Sequence, residues 1–268
     1  MIPSFALNEW RQQAPWTTSA MVEQDLVIAR ALTELYNNPV VNATFAFRGR
    51  TALNKVFFKP AARYSEDIDL VQIKRVPIGA ALTEIRQTLH PSLGDARWKK
   101  KPDSVKLYYQ YTREDNSHLK SKLKFDINTV EQMPIYGLHN YPIHLNNSWF
   151  QGATNLVSYQ LEEALGSKLR ALYQRLKGRD LFDLWYAHQQ LSINSNQVLN
   201  VFENYSQRNG VRITQKQFSE NLRQKIMRKE FVQDVVPLLH PSINWKHQEA
   251  YELVMDTYAA KLPVRQVS

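Results

Sequence analysis

The chain has 268 residues and 43% hydrophobic content, ordinary for a globular protein of one large or two modest domains. It has no cysteine, which excludes disulfides and thiolate metal sites and makes the cytoplasm the expected compartment. No run of about 18 apolar residues is present to span a membrane, and the first residues are too polar for a signal-peptide core, so no membrane partner is expected. The net charge of +9 points to a polyanion, nucleic acid or nucleotide, ahead of ribosomal contact, anionic lipid or mere solubility.

In chain order, Trp16 to Leu35 carries Met21, Leu26, Ile28, Ala29, Leu32 and Leu35 at three-to-four spacing and predicts a helix, with Ser19 as its cap. Asn37-Asn38-Pro39 stops it. Thr44 to Phe47 predicts a short strand, Arg48-Gly49-Arg50 a tight turn, and Thr51 to Phe58 a helix opening directly from that turn. A second strand, Asp67 to Val71, ends before Pro77, and Ile78 to Leu89 predicts another helix. Val105 to Tyr111 and Leu123 to Asn128 alternate as strands with a polar hairpin-like link between them. From Met133 to Asn147 the chain is rich in Pro, Asn and His and reads as the exit from a first domain. From Asn155 onward the pattern is almost wholly helical, with breaks at Gly178, Ser195 and Asn209-Gly210. The expected class is α+β, with an α+β domain over 1–150 and a helical domain over 151–268.

The chemistry concentrates in two neighbouring runs, FRGRTALNK (Phe47 to Lys55) and RYSEDIDL (Arg63 to Leu70). On a strand Asp67 and Asp69 project to one side, about 7 Å apart, while Ile68 and Leu70 point to the core. Such a pair can converge on a hard divalent cation, Mg²⁺ or Mn²⁺, because oxygen or imidazole is the only donor chemistry this composition allows. A lone Asp-x-Asp is common at exposed strand ends. The strand–glycine–helix corner just before it changes the balance, since Gly49 lets the backbone approach a phosphate and Thr51 offers a hydroxyl. A third carboxylate, Asp126, lies on the polar face of KFDIN (Lys124 to Asn128). If that strand pairs beside the first, the three aspartates hold metal or accept the proton of an attacking hydroxyl; otherwise Asp126 is a solvent-facing edge residue.

The helix Leu161 to Arg175 places Lys168 and Arg175 at the edge of an apolar stripe, where each either snorkels to water or meets phosphate. Gly178 ends that helix, Asp180 is the expected cap of the following one, and Asp183 sits one turn further in. Arg97 to Lys124 holds nine Lys/Arg against three acids, interleaved with Trp98, Tyr108, Tyr109 and Tyr111. Arg212 to Glu230 holds six against two. Either could track an RNA backbone or be a solvated face.

Taken together, FRG-x-TALNK, RYSEDIDL, KFDIN and SKLRALYQRLKGRDLFDLW resemble, in order, the AbiEii/AbiGii toxins of the DNA polymerase β-like nucleotidyltransferase superfamily. The resemblance runs from about residue 16 to 190; beyond that it is only helical. It implies a mixed sheet flanked by helices, a helical C-terminal lobe, and transfer of a nucleotide from an NTP with Mg²⁺ or Mn²⁺. It also implies a toxin–antitoxin or phage-defence setting, a cognate antitoxin encoded nearby, and RNA, for some members the 3′ end of tRNA, as acceptor. Metal falls to Asp67, Asp69 and Asp126, and catalysis to these with Lys168 and Asp183. Nucleotide binding falls to Gly49, Arg50, Thr51, Lys55, Arg63, Ser65 and Arg175. The family turn usually reads Gly-Gly-Thr or Gly-Ser, so Arg50 either blocks the triphosphate or binds it. A non-catalytic RNA- or partner-binding module and a metal-dependent nuclease are the alternatives.

Overall fold

A computed structural model describes residues 2–74, 76–114, 118–130 and 134–264. The middle of the expected polar link after Tyr111 and Met133 at the expected domain exit lie outside them. The described chain forms two compact units divided between Gln160 and Leu161.

Unit 1 is built on a seven-stranded mixed sheet. Its strands are β1 (Phe45–Arg48), β2 (Asp67–Gln72), β3 (Arg97–Lys100), β4 (Ser104–Thr112), β5 (Lys120–Asn128), β6 (Leu138–Asn147) and β7 (Phe150–Tyr159), in the spatial order β3-β4-β5-β2-β1-β7-β6. Pairing is parallel for β2 with β5 and β1 with β7, and antiparallel elsewhere. Its helices are α1 (Ser4–Arg11), α2 (Ser19–Tyr36), α3 (Pro39–Thr44), α4 (Gly49–Ala52), which continues as a wider π-helical turn over Leu53–Phe57, and α5 (Gly79–Leu93).

The register explains the core. Phe47, Leu70, Ile127 and Val105 fall in one cross-strand row and Ile68, Phe125 and Leu107 in the next, all buried. Leu26, Ile28 and Leu32 of α2 and Ile85 and Leu89 of α5 are buried with them, α2 touching β5 and β7 and α5 touching β4. Thr18, not Ser19, caps α2, its hydroxyl accepting from the Met21 N–H. The Asn-Asn-Pro stop is also a start: Asn38 accepts from the Val40 and Val41 N–H groups and Pro39 opens α3.

Two departures from the sequence reading lie at the sheet edges. β3 carries three cations in four exposed residues and shows no apolar alternation to mark it. The run read as a domain exit is β6, an edge strand whose exposed positions are polar and whose Pro142 is tolerated because an edge need not donate on both sides. It pairs with β7, which crosses residue 150 and includes Asn155 to Tyr159, so helix begins only at Leu161.

Unit 2 is helical: α6 (Leu161–Gln174), α7 (Gly178–Gln190), α8 (Ser195–Gln207), α9 (Gln215–Ile226), α10 (Lys229–Gln233) and α11 (His247–Thr257). Leu165, Leu169 and Leu172 bury one face of α6, which packs on α8. Gly166 permits that approach, since a Cβ there would overlap Val201. Phe182, Trp185, Tyr186 and Trp245 form an aromatic cluster around α7. Among the described residues no helix is long and apolar enough to cross a membrane.

Candidate active site

Strand periodicity and register assemble a polar face opposite the core. Ile68 and Leu70 point inward, so Asp67 and Asp69 share the other side of β2; Leu123, Phe125 and Ile127 do the same for β5, leaving Lys124 and Asp126 outward. The parallel pairing sets Asp67 opposite Lys124 and Asp69 opposite Asp126. β1 adds Arg48 opposite Asp69, and β4 adds Lys106 opposite Asp126 and Tyr108 opposite Lys124. The strand of Asp126 therefore lies directly beside the strand of the Asp pair, in register.

Cations meet two of the three carboxylates in ion pairs. Asp67, 5% exposed, receives the Arg50 guanidinium on both oxygens at 3.2 and 3.1 Å and the Lys124 ammonium at 3.3 Å. Lys124 also lies 3.4 Å from Asp126, which Lys106 meets at 3.0 Å. Burial pulls the Lys124 pKa down, but Asp67 and Asp126, with Asp69, outweigh it and raise it, so this amine stays charged. Lys124, Lys106 and Arg48 are the neighbours that sequence reasoning missed. Lys124 was legible, two residues before Asp126 on one strand; Arg48 and Lys106 needed the register.

The corner itself is tight. Gly49 has φ of +81°, and a Cβ built on it would strike the Asp69 carboxylate. Thr51, 1% exposed, donates its hydroxyl to the Asp67 carbonyl, and its oxygen lies 2.7 Å from that of Ser65, which is then the donor. Both hydroxyls thus tie α4 to the entrance of β2, where the sequence placed them among nucleotide contacts. The Arg50 guanidinium lies on the Asp67 carboxylate, whose charge it neutralises. Lys55 pairs with Asp25 at 2.7 Å and lies over the Trp10 ring, and Arg63 is fully buried with its guanidinium on the Tyr64 carbonyl.

In unit 2, Lys168, Arg175, Asp180 and Asp183 form one ion-pair cluster. The Lys168 ammonium lies 3.1 Å from Asp183 and 3.4 Å from Asp180, and Arg175 grips Asp180 in a fork at 2.6 and 2.7 Å. Asp180 is not the cap of α7: Lys177 holds that position, and Asp180 sits buried in the first turn, where the helix dipole also favours its charge. Two cations and two carboxylates pin α6 to α7. From the second basic run, Lys225 is buried and donates to the Leu172 and Tyr173 carbonyls at the end of α6; burial lowers its pKa to about 8, opposed by Asp180.

Three carboxylates on adjacent strands are the hard oxygen set that Mg²⁺ or Mn²⁺ takes. Among the described residues they do not converge on one point, and the charge between Asp67 and Asp126 is the Lys124 ammonium. The face already accommodates a positive charge there, and in donor chemistry and charge the carboxylates suit a divalent cation.

Comparison with known proteins gives the family and the fold. A family model described as the nucleotidyl transferase AbiEii toxin of type IV toxin–antitoxin systems matches residues 30–253. The fold resembles JHP933 of Helicobacter pylori at 16% identity, TM-score 0.58, with 91% of each chain covered. It also resembles MenT4, a nucleotidyltransferase toxin of Mycobacterium tuberculosis, at 16% identity, TM-score 0.59, covering 94% of this chain and 88% of that one. No curated protein sequence matches.

Proposed function

The chain belongs to the AbiEii nucleotidyl transferase toxins of type IV toxin–antitoxin systems, and from that premise we propose that it transfers a nucleotide from an NTP to the 3′ end of a tRNA. The same reading makes it a cytoplasmic protein of phage defence, held in check by a cognate antitoxin. The observation that carries the chemistry is the register of β2 with β5, which sets Asp69 beside Asp126, with Asp67 on the same face and Gly49 against Asp69.

Asp67, Asp69 and Asp126 would hold Mg²⁺ (or Mn²⁺), which when bound screens the negative charge of the phosphates. Gly49 keeps the corner low enough for the triphosphate to approach Asp69. Arg50, now on Asp67, would turn to the phosphates and supply a fork of donors. Asp126, more exposed than Asp67, takes the proton of the acceptor hydroxyl. That oxygen bonds to the α-phosphorus, the bond to the β-phosphate oxygen breaks, and pyrophosphate leaves. The roles of Lys168, Arg175 and Asp183 rest on the resemblance; within unit 2 Lys168 pairs with Asp180 and Asp183, and Arg175 with Asp180.

The test is incubation of the protein with Mg²⁺, labelled NTPs and total tRNA. Label should join the tRNA with the wild-type chain and not with Asp67→Asn. RNA bound without label, RNA shortened, or an Asp67→Asn variant as active as the parent would overturn the reading.

A further inference from the structure

We propose that the outer half of the polar sheet face, β3-β4-β5, is the track on which a single-stranded nucleic-acid end lies as it enters the aspartate site, with Arg97, Lys99, Tyr108 and Lys122 as its contacts. The inference rests on the nucleotide-transfer reading and deepens it by placing the acceptor.

The two cross-strand rows that contain the aspartates do not stop at β4. β3 pairs with β4 so that Arg97 stands opposite Tyr108 and Lys99 opposite Lys106. One row thus reads Asp67–Lys124–Tyr108–Arg97 and the other Asp69–Asp126–Lys106–Lys99. Charge changes sign along both, from carboxylates at the sheet centre to unopposed cations at its edge. Arg97 lies three strand spacings from Asp67, about 14 Å at about 4.8 Å per strand, a reach of a few nucleotides.

Three features make this edge suited to a nucleic-acid strand rather than merely solvated. Arg97 and Lys99 are exposed and, among the described residues, meet no carboxylate in an ion pair, whereas Lys106 and Lys124 at the inner end of the rows are held by aspartates. A half-buried aromatic ring, Tyr108, sits in the middle of its row with the Lys122 ammonium 4.1 Å over its centroid; a base takes that ring face as the ammonium moves to the phosphate beside it. The surface is an open sheet face, on which unpaired bases stack on ring side chains and no groove is needed. Duplex would use the cations but not the ring.

The experiment measures binding of a short fluorescent single-stranded RNA to the full chain over a range of salt, without NTP or metal. Arg97 and Lys99 are surface residues, so their variants fold. Arg97→Ala with Lys99→Ala should flatten the log Kd against log salt slope by about 1.4, two contacts at about 0.7 each. Arg97→Glu with Lys99→Glu should weaken binding tenfold or more, and Tyr108→Ala should weaken it where Tyr108→Phe does not. An unchanged salt slope and affinity in the charge variants overturns the track, as does a wild-type chain that labels a protein and binds no RNA. Loss of label transfer in Asp67→Asn with unchanged RNA binding in the edge variants leaves the nucleotide-transfer reading standing and removes only this one. Edge-dependent RNA binding without any label transfer does the reverse.

Discussion

Replacing Gly49 by alanine adds one methyl group at the point where the backbone meets the Asp69 carboxylate. With φ at +81° the alanine adopts a left-handed conformation that costs about 1–2 kcal/mol. The new Cβ also overlaps the Asp69 carboxylate, which must turn away; an off-rotamer side chain costs about 0.5–1.5 kcal/mol more. The expected loss of stability is therefore about 1.5–3.5 kcal/mol, read by urea unfolding. Activity should fall much further, by about a hundredfold or more, because Asp69 no longer stands in line with Asp126. Gly137 provides the control, having the same φ of +81° with nothing near its would-be Cβ. Gly137→Ala should cost about 1–2 kcal/mol for the backbone alone and leave label transfer intact. If Gly49→Ala transfers nucleotide as well as Gly137→Ala does, the close approach of Gly49 to Asp69 has no part in the chemistry.

Lys168→Met should destabilise unit 2 by about 3–5 kcal/mol, since the buried Asp183 loses a cation and Asp180 keeps only Arg175, and denaturant unfolding would show it. Lys225 has a folded pKa of about 8 against an ordinary 10.5, so the folded state binds fewer protons across that window and stability should rise with pH from about 8 to 10.5; in Lys225→Met the rise should vanish from the melting curves. For Asp234 burial alone would raise the pKa, but hydrogen bonds and charge from Arg179, with Lys177, bring it down to about 2. Its stabilisation is present above about pH 4 and lost as pH falls towards 2, so the melting temperatures of wild type and Asp234→Asn should converge in acid.

Legibility of the site followed the range of the interactions. Asp67 and Asp69 on one strand face follow from the two-residue repeat, and the corner at Gly49 follows from a residue type that alone enters the left-handed region without strain. The same repeat places Lys124 with Asp126. What Arg50, Thr51, Ser65, Lys55 and Arg63 touch could not be read from the motifs that contain them. Their partners lie on other elements: Asp67 for Arg50 and Thr51, and Asp25 for Lys55. Asp180 shows the same limit, an apparent cap that instead anchors Lys168 of the preceding helix and Arg175 just after it. β3 and β6 were hidden because an edge strand buries too little to enforce alternation.

Local periodicity and turn chemistry were enough to determine an α+β chain with a helical second half, two aspartates aimed the same way, and a glycine corner beside them, because each depends on residues a few positions apart. Only the tertiary structure decided that β5 runs parallel beside β2, so that Asp126 meets Asp69 and Lys124 lies between Asp126 and Asp67. Strand order and register are settled by which apolar faces share a core, and that choice involves the whole sheet at once.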